Sequence, residues 1–561
     1  MRTDVASVSH DREEVELKDR SDGTAIVNQA TKDGILSNIS ELDGRHHESL
    51  EAQQDADLSK TLSTLADGAD MRRMGKEQRL IRRFRPLSIT SFTAIATASW
   101  ELGIFVITPG LTDGGRAGLL WNAIWCFLGF APIYLSMAEM ASMAPIAGAQ
   151  YHWVSEFAPE SCQRSLSYFT GWVSTIAWQA GNCIGMFLAG SLIQTMILIN
   201  NEDYAFPAWH GTLLAMATMA VAYTANVYGA RALPYWQNAV FAIHVAAYFG
   251  YIVPIWTSGA PRASHAQVWT EFQNEGGWSS ITLAILIGQL SGIGNQTGVD
   301  TAAHMSEEVK DASATIPKAI MATYLINFVL LFPTIVTICY HIPDVAASLE
   351  DPTTYPAIYV LRQSMSNASM TGLLALITLI LLASNIVYLA AVSRDLFAFA
   401  RDKGLPFSKW LSAIDKTIPV NASRFSSVVA VLMSTIYIGS PVAFYAITSL
   451  GTVSLVLCYT ISIGCLLWRR ITKPETLPPA RFSLGNKVGI FVNSAAVLFG
   501  VWAAFWLFWP QTTPVTAAGF NWASVIFVSI LVVATVYFFV KGRRTYFGPV
   551  VEVLGRKDHF T

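Results

Sequence analysis

Charged residues are scarce in this sequence. Of 561 residues, 14% are Asp, Glu, Lys or Arg and 52% are hydrophobic, with a mean hydropathy of +0.40. This balance excludes a soluble globular protein of such length and indicates a membrane protein. The net charge of -2 provides no basic surface, which excludes a nucleic-acid partner. The six cysteines follow no metal-ligand spacing, so the sequence predicts neither a metal nor another cofactor.

Aromatic residues are absent from the first 70 positions, which hold 16 acidic and 7 basic residues. A segment of this composition buries too little apolar surface to offset the entropy of ordering. We therefore predict that residues 1–70 form a disordered cytoplasmic tail. The sign of the charge then reverses, because residues 71–86 contain seven Lys or Arg. We interpret 71–87 as a basic juxtamembrane segment.

Twelve apolar stretches follow, each long enough to cross about 30 Å of hydrocarbon as a helix. They predict an all-α integral membrane domain of twelve transmembrane helices at 88–540, with a cytoplasmic C-terminal tail at 541–561. We call these stretches spans 1 to 12 in chain order. They cover residues 88–110, 117–140, 166–198, 208–228, 233–256, 279–303, 316–341, 370–393, 425–439, 442–468, 488–510 and 520–540.

Positive charge is distributed unequally between the two sides of the predicted membrane domain. If the amino terminus is cytoplasmic, the cytoplasmic connections and ends carry 27 Lys or Arg near the membrane. The other side carries three, namely Arg116, Arg262 and Arg362. Because cytoplasmic loops of membrane proteins are enriched in Lys and Arg, both termini are predicted to be cytoplasmic.

Span 6 contains poor helix formers halfway along its apolar stretch. Gly292, Gly294 and Gly298 are interleaved with polar residues that include Asn295, and Asp300 follows. Bare peptide groups are costly in hydrocarbon, so a helix interrupted there lines a cavity or contacts other protein. The alternative is that the glycines only allow close helix packing. We predict a break that places these five residues at a substrate site.

Span 1 carries a second polar group at mid-depth, formed by Ser99, Trp100, Glu101 and Gly103. Spans 1 and 6 occupy equivalent positions if spans 1–5 and 6–10 are inverted repeats, whose corresponding helices are both discontinuous and meet at the substrate. The ends of broken helices offer N–H groups to a carboxylate and carbonyl groups to an ammonium or a coupling cation. The pair therefore predicts a site for a small zwitterion. For the acids Glu101 and Asp300, stabilisation of a helix boundary is the alternative, and a further alternative for Asp300 is a proton shared with His304.

Two further polar faces lie in spans 3 and 8. Gln179 and Asn182 are three residues apart and share one helix face, next to Trp178. Asn385 and Tyr388 form a similar short face. We predict that Trp178, Asn182, Asn385 and Tyr388 contact the substrate, with hydrogen bonding between helices as the alternative.

Three long motifs resemble those of the fungal amino acid/choline transporter family, the GABA and choline permeases of the amino acid-polyamine-organocation superfamily. They read SMAEMASMAPIAGAQYHWVSEFAP (136–159), VDTAAHMSEEVKDASATIPKAI (299–320) and SRDLFAFARDKGLPFS (393–408). The resemblance implies a five-plus-five inverted repeat of the LeuT type, with broken helices 1 and 6 and two additional helices. It also implies a central site between spans 1, 3, 6, 8 and 10, and alternating access.

The resemblance also assigns roles to particular segments. It implies that backbone amides at the break in span 1 bind a carboxylate, and that the segment from Gly292 to Gly298 meets the amine and the side chain. It further implies a gating or coupling role on the cytoplasmic side. The residues concerned are Glu139, Arg394, Asp395 and Arg401.

A small amino acid or amine such as GABA is therefore the predicted solute, imported across the plasma membrane by a secondary active transporter. Family resemblance implies that the coupling ion is a proton. Choline is the alternative substrate and would require an aromatic cage around its quaternary ammonium. Candidates for that cage are Trp100, Trp178, Tyr388 and Tyr445.

Two other classes of function compete with transport. A nutrient receptor that binds the same solutes without transporting them is a second alternative. An intramembrane enzyme is not predicted, because His244 and His304 each stand alone within the spans. The tail residues Lys18, Lys32 and Lys60 are candidate acceptors for a ubiquitin ligase, as in fungal permeases generally.

Overall fold

Helices form most of the computed structural model. The structure describes residues 64–415, 418–439, 443–517 and 519–553, without the side chains of 443–445. The candidate ubiquitin acceptors Lys18, Lys32 and Lys60 and the side chain of Tyr445 therefore lie outside the described residues. Most of the predicted tail at 1–70 also lies outside them.

Ten helices in the described part of the chain are long and apolar enough to cross a membrane. Such a set is typical of an all-α, multi-pass integral membrane protein, as the sequence predicts. The ten segments are Pro86–Thr112, Gly115–Met143, Gln163–Asn200, Leu233–Thr257, Ala312–His341, Asn367–Arg401, Val420–Gly439, Ala446–Thr472, Asn486–Leu507 and Ala523–Glu552.

Spans 4 and 6 are not among those ten segments. Span 4 is the 21-residue helix Ala208–Tyr228, whose buried Thr212, Thr218 and Asn226 make it less apolar. Span 6 is apolar over Ile281–Gly294 but is too short to be counted. The number of transmembrane helices, twelve, therefore stays a prediction.

Span 1 is interrupted at Ala98. The helix Pro86–Thr97 ends there and the helix Ser99–Phe105 begins directly after it. Ala98 has φ 39° and ψ 49°, a left-handed conformation that costs a residue other than glycine roughly 1–2 kcal/mol. A third short helix, Thr108–Thr112, completes the span.

Span 6 is interrupted over a longer stretch. Its first half consists of the helices Ile281–Gly288 and Leu290–Gly294, and residues 295–300 are not helical. Gly298 has φ 95°, which L side chains rarely adopt, so a glycine is required at this point of the turn. The chain becomes helical again at Thr301–His304. The break predicted from the sequence is therefore present in span 6.

The remaining elements are short helices and one pair of two-residue strands. Asp113–Gly114 pairs antiparallel with Gln273–Asn274. The π-helical turn is Phe538–Gly542. The 3-10 helices are Ser306–Glu308, Pro474–Thr476 and Pro549–Glu552. The other short α-helices are Leu65–Arg73, Ala149–Phe157, His265–Trp269, Val345–Leu349, Pro356–Ser364, Ser408–Leu411 and Arg543–Thr545.

The break in span 1 also separates two buried apolar clusters. Phe92 and Ile95 precede the break and pack with spans 2, 3 and 10. Trp100 and Ile104 follow it and pack with spans 5 and 7. We call the side of the helix bundle at which Pro86 begins span 1 the terminal face, and the other side the opposite face.

The segment before span 1 is folded against the terminal face. Thr64 caps the helix Leu65–Arg73 through a reciprocal pair of hydrogen bonds with Asp67. The Asp67 carboxylate also accepts hydrogen bonds from the backbone N–H groups of Asp311 and Ala312, both at 3.0 Å, where span 7 begins. The predicted boundary of the disordered tail at residue 70 is therefore too late, because Asp67 forms tertiary contacts.

Asp67 is also held in its charged form. Burial favours the neutral acid, but the Arg82 guanidinium, 3.3 Å away, and three backbone N–H groups outweigh it and hold the pKa of Asp67 below its ordinary value. Arg82 in turn donates to the carbonyl oxygens of Ser306 at 2.9 Å and Val309 at 2.6 Å. One carboxylate thus connects the N-terminal segment to the loop between spans 6 and 7.

The substitution Asp67→Asn is expected to lower the free energy of unfolding by about 2 kcal/mol, because it removes a charged cap and leaves Arg82 buried without its partner. Because the pKa of Asp67 is depressed in the folded state, the wild type exceeds the variant in free energy of unfolding by the full amount at neutral pH. This difference is lost as the pH falls through the acidic range. Thermal unfolding in detergent at two pH values measures both effects. The exposed Glu77→Gln is the matched control, and equal melting temperatures for both variants would contradict the assignment.

Candidate functional site

A cavity lies where the interruptions of spans 1 and 6 face spans 3, 8 and 10. About 110 Å³ of it is open to a sphere the size of a water molecule. This is several times the space that one water needs, so a small solute fits. The wall is formed by Ala96, Thr97, Leu102, Val106, Pro109, Ala177, Gly181, Ile184, Gly185, Leu290, Ser291, Gly294, Asn295, Thr297, Gly298, Leu381, Ser384, Asn385, Tyr388, Thr448, Gly451, Thr452 and Leu455.

The wall of this cavity is neutral. Among the described residues that line it there is no Asp, Glu, Lys, Arg or His, and Tyr388 is the single aromatic residue. Hydroxyl and amide groups supply its polarity. These polar residues are Thr97, Ser291, Asn295, Thr297, Ser384, Asn385, Tyr388, Thr448 and Thr452.

Two side-chain amides in the wall carry unsatisfied atoms. Asn295 Oδ1 and Asn385 Nδ2 are buried, and neither has a hydrogen-bond partner in the described part of the protein. Buried polar atoms in folded proteins are nearly always hydrogen-bonded, so such atoms in a cavity wall are available to a ligand. One of them accepts and the other donates a hydrogen bond, and the wall can therefore bind both an ammonium and a carboxylate.

Side chains satisfy backbone groups next to the two breaks. Ser384 donates to the carbonyl oxygen of Ala96 at 3.1 Å, and Thr297 donates to that of Gly294 at 2.8 Å. Asn327 of span 7 donates to the Thr97 hydroxyl at 2.8 Å. Because carbonyls freed by an interrupted helix must find donors, these contacts explain how the breaks persist inside the bundle.

Glycines on span 3 allow span 8 to approach the cavity. A Cβ atom at Gly181 would overlap the hydroxyl of Tyr388, and one at Gly185 would overlap Oδ1 of Asn385. The two glycines lie one turn apart on the same helix face, in a Gly-x-x-x-Gly arrangement that permits close helix contact. The positions of Asn385 and Tyr388 in the wall therefore depend on the absence of side chains in span 3.

Five of the predicted substrate residues line the cavity. They are Gly294, Asn295 and Gly298 of span 6, and Asn385 and Tyr388 of span 8.

The predicted residues of span 1 point away from the cavity wall. Ser99 Oγ donates to the backbone of Asn327 in span 7 at 3.4 Å, and Gly103 faces Leu331 of the same span. The reason is the single left-handed residue at the break, after which Leu102 and Val106, one turn apart, take the inward face.

Trp100 and Glu101 face span 5. The ring of Trp100 packs against His244, Tyr248 and Tyr251 at centroid distances of 5.8–6.0 Å. Glu101 Oε1 lies 2.6 Å from His244 Nδ1, with both side chains fully buried. The prediction that His244 stands alone is therefore wrong, because the acid of span 1 is its partner.

Four further predicted residues lie behind the wall. Trp178 packs against Tyr388 in a tilted arrangement, with ring centroids 5.0 Å apart. Asn182 Nδ2 donates to the backbone of Ser426 in span 9 at 3.3 Å. Gly292 packs closely against span 2, where a Cβ atom would lie 2.8 Å from Cys126 Sγ.

Asp300, the fourth, is buried and lies beyond Gly298. Its carboxylate accepts hydrogen bonds from the Tyr459 hydroxyl at 2.5 Å and from Gln150 Nε2 at 2.7 Å. His304 Nε2 lies 3.6 Å from Asp300, and His304 Nδ1 lies 3.7 Å from Asp395. His304 therefore does not stand alone, and one of its two acidic neighbours is Asp300, the partner that the sequence offered as an alternative.

Several residues of the cavity wall are not among the substrate residues predicted from the sequence. Thr448, Gly451 and Thr452 of span 10 share one helix face, and their spacing of three and four residues is a signal that could have identified them. The pair Gly181 and Gly185 is a second such signal, since small residues four apart mark close helix contact.

The predicted gating residues lie in buried ion pairs or polar contacts on the side of the terminal face. Arg394 Nε lies 2.7 Å from Glu308, and Arg401 makes two hydrogen bonds to Glu307 at 2.9 and 3.0 Å. Glu139 pairs with Arg470 of span 10 and accepts from the backbone N–H of Leu484 at 2.9 Å. Asp395 accepts from the Ser174 hydroxyl at 2.8 Å.

The Glu307–Arg401 pair is charged at neutral pH. Burial favours neutral Glu307, but the Arg401 guanidinium outweighs burial and holds the pKa of this carboxyl below its ordinary value. The pair therefore links the 3-10 turn after span 6 to the end of span 8.

Comparisons with known proteins agree with this architecture. A family model described as amino acid permease matches residues 87–532. The chain belongs to the amino acid permease family. This result confirms the resemblance of its motifs to fungal permeases and makes the chain an integral, multi-pass membrane transporter of small solutes.

Individual relatives are fungal transport proteins of similar length. A Macrophomina phaseolina protein, provisionally named an amino acid/polyamine transporter, is 28% identical over 77% of this chain and 96% of its own length. The choline transporter of Saccharomyces cerevisiae is 26% identical over 84% of this chain and 83% of its own. Amino-acid permease 2 of Neurospora crassa is 26% identical over 89% and 92%.

The substitution Gly185→Ala is expected to reduce the initial rate of solute uptake by this permease at least tenfold, because the added methyl displaces Asn385 from the cavity wall at a cost of about 1–3 kcal/mol. Uptake in cells with matched surface expression measures the effect. Gly250→Ala is the control, because a Cβ atom there meets nothing within 4 Å. Similar losses in both variants would contradict the role of the glycine.

Proposed function

We propose that this permease is a secondary active transporter that imports a small zwitterionic amino acid, such as GABA, by proton-coupled alternating access at the plasma membrane. The observation that carries the proposal is a neutral cavity between two interrupted helices, with an unpaired acceptor on Asn295 and an unpaired donor on Asn385. A twelve-helix, five-plus-five inverted repeat is the architecture that we propose for it.

A zwitterion suits the wall better than an ion of one sign. The lining contains no charged side chain to neutralise an isolated charge, and desolvation of such an ion would be costly. A molecule with both charges brings its own counterion and needs one acceptor and one donor. The hydroxyls of Thr97 and Ser384, and backbone groups at the breaks, add polar contacts.

Choline is the second candidate, supported by the name of the yeast relative and by the ring of Tyr388. A quaternary ammonium is best recognised by several aromatic faces. Trp100 packs against span 5, and Trp178 lies behind Tyr388, so these two residues do not complete a cage. The wall therefore favours a primary amine that donates hydrogen bonds over a quaternary ammonium, which cannot.

Uptake of radiolabelled GABA, other small amino acids and choline by cells expressing the protein tests this choice. We expect saturable uptake of an amino acid, with choline a poor competitor. Asn385→Ala should reduce that uptake by tenfold or more, since losing one hydrogen bond to a charged group costs about 1.5–3 kcal/mol. The exposed Asn200→Ala is the matched control. Uptake of choline alone would overturn the zwitterion assignment, and binding without uptake would favour a nutrient receptor.

The proposed alternating access starts here from a state closed at the terminal face. Leu102, Val106, Pro109 and Ser291 extend the wall toward the opposite face. On the terminal side, two ion pairs connect span 8 to the turn after span 6. Arg394 pairs with Glu308, and Arg401 pairs with Glu307. With both termini in the cytoplasm, as the positive-inside pattern predicts, the face closed by these ion pairs is the cytoplasmic one.

The substitution Arg401→Gln is expected to favour opening of the terminal face, because breaking a buried ion pair costs about 3–5 kcal/mol. Buried Cys458, next to Tyr459 in span 10, should then react severalfold faster with a membrane-permeant thiol reagent, as followed on its peptide by mass spectrometry. Arg362→Gln, which removes an ion pair on the opposite face, should leave the rate unchanged. An unchanged rate in Arg401→Gln would contradict a gating role.

A further inference from the structure

Three buried titratable side chains meet behind the solute cavity. Asp300 and His304 belong to span 6, and Asp395 belongs to span 8. His304 Nε2 lies 3.6 Å from Asp300 Oδ2, and its Nδ1 lies 3.7 Å from Asp395 Oδ1. All three side chains are almost completely shielded from solvent. We call these three residues the acid–histidine cluster.

The proton on one ring nitrogen of His304 is fixed by a backbone group. Nδ1 lies 2.9 Å from the carbonyl oxygen of Ala147, which can only accept a hydrogen bond, so Nδ1 carries the proton. Nε2 is buried and has no hydrogen-bond partner among the described residues. The gain or loss of a proton by the imidazole therefore takes place at Nε2, on the side of Asp300.

The two carboxylates are bound by neutral donors only. Asp300 accepts from Tyr459 and Gln150, and Asp395 accepts from Ser174. With neutral His304 the cluster holds two buried negative charges, and one proton on Nε2 reduces that excess to one. Because buried charge without a counterion is costly, binding of a proton at this site is favourable.

Charged neighbours of the cluster are already engaged with one another. Arg394 pairs with Glu308, and Arg401 pairs with Glu307. The titratable groups that face Asp300 or Asp395 from the packed elements are Tyr134 of span 2, Tyr388 of span 8, and Cys458 and Tyr459 of span 10.

The cluster lies between the cavity and the terminal face. Gly298 is in the cavity wall and Asp300 is two residues further along span 6. On span 8, Asp395 follows Asn385 by ten residues, which is about 15 Å of helix. The ring of Trp178 lies between the two regions, because it packs against Tyr388 at a centroid distance of 5.0 Å and meets His304 edge to face at 4.8 Å.

We propose that the acid–histidine cluster is the binding site of the coupling proton, which is carried on Nε2 of His304 between Asp300 and Asp395. This inference rests on the proposed function, whose coupling ion it assigns to particular atoms. One proton enters from the cavity side while the terminal face is closed. The same proton leaves from Nε2 toward the terminal face after the solute is released, so each cycle moves one proton and one solute inward.

A proton fits this cluster better than a metal ion. Nδ1 donates to Ala147 and is unavailable as a ligand, which leaves a single imidazole nitrogen. In the described ranges, no group of three or more His, Cys, Asp or Glu residues has the arrangement of a metal site. Among the described residues, the wall of the solute cavity offers no carboxylic acid or imidazole, so a coupling proton requires a site outside that wall.

The test uses full-length protein in liposomes and an amino acid that the wild type accumulates. We expect His304→Gln and Asp395→Asn to abolish accumulation driven by an inward proton gradient while solute exchange without a gradient continues. His244→Gln alters a buried histidine–acid pair outside the cavity wall and should keep gradient-driven accumulation. Accumulation in the two cluster variants equal to that of the wild type would overturn the inference.

A milder variant tests the proposal even if His304→Gln or Asp395→Asn prevents folding. Ser174→Ala removes the hydrogen bond that favours charged Asp395, so the cluster should take up its proton more readily. The pH of half-maximal uptake should therefore rise, whereas Ser165→Ala, an equivalent change near the start of span 3, should leave it unchanged. An unchanged midpoint in Ser174→Ala would count against the cluster. Absence of any proton-driven uptake in the wild type would instead contradict the proposed function.

Discussion

The need to satisfy backbone polar groups away from water is the constraint on which the rest of this structure depends. Residues 295–300 interrupt span 6 at mid-depth, where bare peptide groups cannot face lipid. Tyr134 of span 2 donates to the Gln296 carbonyl, and the Tyr459 hydroxyl of span 10 lies 3.5 Å from the Gly298 N–H. The break therefore requires both neighbouring helices, and the space left beside it is the solute cavity.

Charge is placed so that this cavity stays neutral. The buried acids and bases of the described residues lie outside its wall, and Glu307 and Glu308 at the terminal face each have an arginine partner. A neutral wall does not trap a solute through one strong ion pair, and a transporter must release its solute as well as bind it. The two free amide atoms on Asn295 and Asn385 instead give directional contacts of moderate strength.

The sequence predicted the break in span 6 because Gly298 and its polar neighbours contradict helix formation in an otherwise apolar stretch. It could not predict where Ser99 to Gly103 point, since one left-handed residue, Ala98, changes which helix face is turned inward. The sequence did not predict that the segment around Asp67 is folded, and the reason is different. Its backbone partners are 244 and 245 residues away, and no local pattern reports contacts over such a distance.

Solute, proton and gate meet on one short piece of chain. Gly298 lines the cavity, Asp300 and His304 belong to the acid–histidine cluster, and Glu307 and Glu308 form the ion pairs at the terminal face. The non-helical residues before Thr301 separate this piece from the first half of span 6, so it is able to move without bending a continuous helix. A displacement of this piece that breaks the ion pairs to span 8 also changes the distance between His304 and Asp395, which lies on span 8. Opening of the terminal face and loss of the proton are then consequences of the same movement, which is what coupled transport requires.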